Sequence, residues 1–152
     1  MSVESVRAYF RKHRLQYKIH EFSESTETVE LAAQALNVEP ELIAKTIALR
    51  VRDGGMLIVT KGDARIDNRK FKDTFGLKVK MMTSEQVFEK TGHPVGGVCP
   101  FAIKDDMELY LDVSLRQFEK VYPAAGSKNS CIEITPEELC RITGAQWVDV
   151  CK

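Results

Sequence analysis

The 152-residue sequence predicts an α+β fold: one domain, residues 1–152, with a mixed, mostly antiparallel sheet and helices packed on it. Three observations predict it. Several segments carry helix-capping chemistry at both ends. Residues 45–60 read as a hairpin of alternating apolar residues. The element order mixes helices and strands without the regular βαβ alternation of a parallel sheet.

Val3, Val6, Tyr9 and Phe10 share one helical face, with Ser2 as the cap and an end near His13 or Arg14. Tyr17, Ile19 and Glu21 then alternate with Lys18, His20 and Phe22 as a short strand. Thr28 caps a helix over Val29–Leu36 that ends at Asn37, and Pro40 opens another short helix leading to Ile43. Ile47, Leu49 and Val51 alternate with Thr46, Ala48 and Arg50. A turn at Asp53-Gly54-Gly55 returns the chain into the apolar strand Met56–Thr60. Asp67 caps a helix through Phe75, closed by Gly76. Lys78–Met82 reads as a strand, and Thr83-x-x-Gln86 is a capping box opening a helix that stops at Gly92. Residues 92–100 are loop chemistry. Strands follow at Glu108–Val113, near Lys120–Pro123 and at Cys131–Ile134, the last two forming a second hairpin. Thr135-Pro136-Glu137-Glu138 combines a cap, a first-turn proline and first-turn acids, and Gly144 ends that helix. Trp147, Val148 and Val150 form a last edge strand.

Composition narrows the function classes. With 43% hydrophobic and 29% charged residues the chain is globular and not disordered. No run approaches the ~20 apolar residues of a membrane span, and no basic-then-apolar leader opens it, so a cytoplasmic protein without a membrane partner is expected. Cys99, Cys131, Cys140 and Cys151 form no C-x-x-C pair and no His stands at finger spacing, so reduced thiols and no metal are expected. Net charge is zero but unevenly spread. Residues 1–20 carry five basic side chains and one acidic, residues 21–41 six glutamates and no Lys or Arg, and residues 61–80 seven basic and three acidic. Such local patches can hold a phosphate backbone, or simply be solvated faces.

No G-x-S-x-G elbow, P-loop or dinucleotide fingerprint is present. His20 reads as a structural histidine. His93 lies in the glycine loop, where it can face a ligand. Cys99 in the same loop reads as a packing residue, because no base stands beside it in sequence. Two features remain. Lys45-Thr46 opens an apolar strand, where a fixed cation can hold a phosphate or an oxyanion, or merely close the preceding helix. Gly96-Gly97-Val98-Cys99-Pro100 can bring backbone N–H groups close to a ligand, or serve as a connecting loop.

Ile43-Ala44-Lys45-Thr46-Ile47, the Gly96-x-x-x-Pro100 loop, and Val121-Tyr122-Pro123-Ala124-Ala125-Gly126 running into Ile132-Glu133-Ile134 resemble the YbaK/EbsC family, across nearly the whole chain. That family is similar to the editing domain inserted in bacterial prolyl-tRNA synthetase. The resemblance implies a sheet curved around a pocket. It also implies cytoplasmic hydrolysis of the ester between a wrong amino acid and the terminal adenosine of tRNA, tRNA(Pro) first, with no metal, no cofactor and no side-chain nucleophile. By position, Lys45, Gly96 and Gly97 would be catalytic, with Thr46, His93, Val98, Cys99, Pro100, Gly126 and Cys131 around the substrate. The partner would be the tRNA acceptor end, together with an aminoacyl-tRNA synthetase, and not DNA. Lys61, Arg65, Arg69, Lys70 and Lys72 are candidates for the RNA backbone. The chain departs from the Cys-tRNA-clearing members, which carry Ser-Gly-Gly and an Asp where it has Ala124-Ala125-Gly126 and Cys131. No amino-acid preference carries over. Two other readings stand beside hydrolysis: tRNA or nucleotide binding without turnover, and a thiol-dependent activity of Cys99.

Overall fold

A computed structural model describes residues 2–52, 54–104 and 107–152. Among the described residues five α-helices, α1 (Ser2–Lys12), α2 (Val29–Leu36), α3 (Asn68–Phe75), α4 (Ser84–Thr91) and α5 (Pro136–Thr143), surround a curled sheet. The strands are β1 (His20–Glu21), β2 (Ile43–Val51), β3 (Gly54–Lys61), β4 (Glu108–Asp112), β5 (Tyr122–Pro123), β6 (Ser130–Cys131) and β7 (Gln146–Val148). The main sheet has the order β5-β2-β3-β4-β7, and β1 pairs with β6 apart from it. The mixed α+β expectation holds. The antiparallel content is concentrated in the β2/β3 hairpin, while β5, β4 and β7 each join in parallel.

Local chemistry places most elements where the sequence puts them. The Thr28 hydroxyl accepts from the Leu31 N–H, Asp67 accepts from the Arg69 and Lys70 N–H groups, and Thr83 with Gln86 closes a complete capping box. Thr135 caps α5, with Pro136 in its first turn. Ser2 falls inside α1 and not before it.

The strands are where the sequence reading is corrected. Only His20–Glu21 of the expected strand 17–22 pairs, because its partner β6 is itself two residues long. Gly54 and Gly55 are already paired, with Val51 and Arg50, so the expected turn is tighter; Asp53 lies outside the described residues. Lys78–Met82 is extended but is no strand. It touches β2 through one Leu49–Met81 bridge, flanked by Arg50 N–H to the Lys80 carbonyl and Met82 N–H to the Ala48 carbonyl. Val150 lies beyond β7, and its N–H donates to the buried carboxylate of Asp112 at 2.8 Å.

The β2/β3 register fixes which side chains share a face. Lys45, Ile47 and Leu49 stand opposite Thr60, Ile58 and Met56. That face carries a core of Leu49, Met56, Ile58, Phe71 and Val150 under α3. The opposite face presents Ala44, Thr46 and Ala48 toward two other cores, one holding Phe10, Phe101 and Leu111 and one holding Leu57, Met82 and Val87. The C-terminal residues return beside the segment that leads into α3: the Asp67 N–H donates to the Val150 carbonyl and the Lys152 N–H to the Arg65 carbonyl. This anchors the segment 64–67 beside Lys45.

Candidate active site

The outer edge of β2 is covered unevenly. β5 pairs only with Ile43 and Ala44, and the 80–82 segment meets only residues 48–50. Backbone groups alternate sides along a strand. Ala48 and Arg50 use theirs on the outer edge, so those of Thr46 point the same way, into the gap between the two coverings. At this gap lies a cavity of about 180 Å³, the space of roughly six waters at about 30 Å³ each. Its walls come from the start of β2 (Ala44, Lys45, Thr46), the start of α2 (Thr28, Val29), the glycine loop (Val95, Gly96, Val98) and the β5–β6 turn (Ala124, Cys131).

Lys45 and Gly96 therefore border one cavity. The Lys45 amine donates to the Ala64 carbonyl at 2.5 Å, which engages one of its three N–H donors. Burial lowers its pKa, opposed by the neighbouring Cys151, Asp63 and Glu30 and assisted by Arg65. Gly96 adopts φ +93°, and a Cβ there would stand 2.6 Å from the Glu27 Cβ. Only glycine fits that backbone and that proximity. Gly97 does a different job from the one expected. Its N–H is taken by the Pro94 carbonyl at 2.9 Å, its carbonyl accepts from Gly126 at 3.0 Å, and a Cβ would meet the Ser127 backbone at 2.6 Å. It locks the glycine loop to the 126–127 turn and offers the cavity no donor.

Two hydroxyls in the wall are buried: that of Thr46 has no hydrogen-bond partner among the described residues, and that of Thr26 meets the Cys131 thiol. Cys131 lies in the same wall, and burial pushes its thiol up to about 11, with the Thr26 hydroxyl acting in the opposite direction. Neither Thr26 nor the outward backbone groups of Thr46 was legible in the sequence. Both become visible only once the partial covering of β2 is known.

His93, Cys99 and Pro100 lie away from this cavity, and Gly126 borders a neighbouring cleft instead. His93 and Cys99 are both fully buried, with Cys99 Sγ 3.6 Å from His93 Nε2, so a base does stand beside the thiol. It cannot act as one. Nε2 lies 2.7 Å from the Phe101 carbonyl, an acceptor only, so that nitrogen carries the proton. Burial lowers the His93 pKa and pushes Cys99 up to about 12. The pair is core, and the thiol reading of Cys99 fails on burial.

Comparison with known proteins gives the same region a meaning. The sequence profile of the aminoacyl-tRNA editing domain matches residues 23–142, which include every cavity-lining residue. The chain belongs to the aminoacyl-tRNA editing domain family. It is 47% identical to uncharacterized protein YwhH of Bacillus subtilis (strain 168), over all of this chain and 98% of that one. It is 28% identical to a protein of Enterococcus faecalis (strain ATCC 700802 / V583), EbsC, provisionally named a Cys-tRNA(Pro)/Cys-tRNA(Cys) deacylase, over 91% of this chain and 87% of that one. A solved structure provisionally described as a trans-editing enzyme for prolyl tRNA synthetase superposes with a TM-score of 0.91 at 31% identity, covering 99% of this chain and 97% of that one.

In this editing domain the basic segment sorts into two groups. Lys61 pairs with Asp63 at 3.3 Å, and Lys70 is held by Asp149 and the Cys151 carbonyl. Arg69 and Lys72 instead line an open groove of about 480 Å³ with Lys78. Arg65 lies next to Ala64, the acceptor of the Lys45 amine.

Proposed function

We propose that this editing domain, residues 1–152 acting as one unit, is a free-standing hydrolase of aminoacyl esters on mischarged tRNA, with tRNA(Pro) the first candidate and no metal required. One observation carries the reading: Lys45 and Gly96 border the same small cavity, at a gap in the sheet edge where the Thr46 N–H also points. An aminoacyl ester is already activated, so placement and a few fixed donors suffice. A single donor to the developing oxyanion contributes roughly 3–4 kcal/mol. The aminoacyl group occupies the cavity. Water adds to the ester carbonyl, and the charge forming on its oxygen is met by the Thr46 amide, the Gly96 amide or the free N–H donors of Lys45. The carbon–oxygen bond to the ribose then breaks, one proton of the water passes to the departing ribose oxygen and the other to solvent, and the amino acid leaves as a carboxylate. The cytoplasm, where tRNA is charged, is the proposed location, and the synthetase that makes the error is the proposed neighbour.

The test incubates the protein with mischarged tRNA(Pro) and a panel of other mischarged pairs. Release of amino acid by the wild type, lost in Lys45→Ala, is expected. Equal rates for the two proteins across the panel would refute hydrolysis. A second reading, tRNA binding without turnover, draws on the Lys45 amine being turned to Ala64 and the Gly97 amide being occupied. Tight, salt-sensitive tRNA binding with no amino acid released would favour it.

A further inference from the structure

We propose that the cleft between α1, α4 and the 126–128 turn is a platform for single-stranded RNA, seating the nucleotides that lead into the cavity; this rests on the editing reading above. The cleft measures about 610 Å³ and is bordered by Val3, Phe88, Pro94, Lys104, Gly126 and Lys128 among others. It shares no lining residue with the smaller cavity but adjoins it: Pro94 borders the cleft and Val95 the cavity, and Lys128 of the cleft pairs with Glu27 of the cavity at 3.7 Å. The Gly97–Gly126 hydrogen bond ties the glycine loop to the 126–128 turn.

The chemistry of the cleft suits a nucleic acid strand. Phe88 is 59% exposed, an uncovered aromatic face in the last turn of α4. Gly92 caps that helix by donating to the Phe88 carbonyl, and a Cβ on Gly92 would meet Lys104 Cβ at 3.5 Å. Lys104 is held there by its own N–H to the Thr91 carbonyl at 3.1 Å. The reversal that brings it back is Ala102 at φ +54°, a left-handed backbone that alanine disfavours and that is maintained because Phe101 beside it is fully buried. Lys128 also lines the cleft, paired with Glu27 at 3.7 Å with both side chains exposed. An exposed ring and two lysines lining one cleft supply the groups that stack a base and hold its neighbouring phosphates. The acceptor end of tRNA is such a strand, and the cleft is wide where the cavity is narrow.

The experiment measures binding of full-length protein to two hairpin RNAs. One ends in a four-nucleotide 3′ overhang carrying 2-aminopurine, and the other is blunt. Base stacking contributes about 1–3 kcal/mol, so Phe88→Ala should weaken overhang binding roughly 5- to 150-fold and abolish the 2-aminopurine quenching. Phe88→Tyr should restore both, and the blunt hairpin should bind both proteins alike. Lys104→Glu with Lys128→Glu should flatten the salt dependence by about 1.4 in slope, for two phosphates at about 0.7 each. Unchanged overhang binding and quenching in Phe88→Ala would overturn the platform, as would equal affinity of the wild type for both hairpins, which would hand the cleft to another class of partner. Ester hydrolysis that depends on Lys45 but is indifferent to Phe88 sinks the platform alone. Phe88-dependent overhang binding without any hydrolysis sinks the hydrolase alone.

Discussion

Three glycines differ in what an added methyl group would meet, so alanine at each separates two costs. Gly76 closes α3 at φ +70° with nothing within 4 Å of a built Cβ. Alanine there bears only the left-handed backbone, roughly 1–2 kcal/mol, partly offset by about 0.4–1 from a stiffer unfolded chain. A net loss of about 1 kcal/mol is expected. Gly97 has ordinary backbone angles, but its Cβ would stand 2.6–2.7 Å from three backbone atoms of Ser127. Backbone cannot rotate aside as a side chain can, so the cost is overpacking, about 1–3 kcal/mol. Gly96 combines both, at φ +93° and 2.6 Å from the Glu27 Cβ with the Glu27 Cα at 3.2 Å. Its alanine variant should lose about 2–4 kcal/mol. Urea melts followed by circular dichroism give these differences, and for a chain of this size each kcal/mol moves the melting temperature by roughly 2–4 °C. Displacing Glu27 also shifts Thr26 and Thr28 in the cavity wall. Deacylation well below the melting point should therefore fall at least tenfold in Gly96→Ala and stay level in Gly76→Ala. If Gly96→Ala and Gly97→Ala are no less stable than Gly76→Ala, the glycine loop is not held against its neighbours, and the cavity built on that contact is wrong.

Three further outcomes follow from the same geometry. Burial holds the Lys45 amine below the ordinary lysine range, so if its charge assists the reaction, kcat/KM corrected for spontaneous hydrolysis should decline as pH rises through that lowered value; Lys45→Arg should move the decline out of range, and a profile flat to pH 10 would remove the charge from the reaction. His93 is buried with a lowered pKa, so the unfolded chain binds its proton first as pH falls below ~6.5, and stability should drop from there until the folded value is passed; His93→Gln should flatten that slope in melts at pH 7 and pH 5, and an unchanged slope would relocate the titration. Arg69→Glu with Lys72→Glu should weaken tRNA binding and reduce its salt slope by about 1.8, whereas Lys70→Glu, whose amine is already engaged by Asp149 and the Cys151 carbonyl, should do less; equal effects would show that those contacts do not restrain Lys70.

The elements legible from sequence are those whose signals are local. The caps at Thr28, Asp67, Thr83 and Thr135 each act within three residues, and the helices they open begin where the sequence puts them. The β2/β3 pattern was equally readable, because each strand covers the other over eight residue pairs. Lys78–Met82 shows the boundary of that method. Its alternation is real, but the segment meets the open edge of β2 only at residues 48–50 before the Thr83 cap turns the chain into α4. Lys45, Thr46, Gly96, Val98 and Cys131 could be named in advance and do meet at one cavity, whereas Gly97, His93, Cys99 and Pro100, from the same motif, serve as loop lock and core. Residue types and spacing determined which groups were available. Which of them face open space was decided by the register of β2 and by the two short segments that leave Thr46 uncovered between them, since hydrogen bonds made across long stretches of chain leave no trace in neighbouring residues.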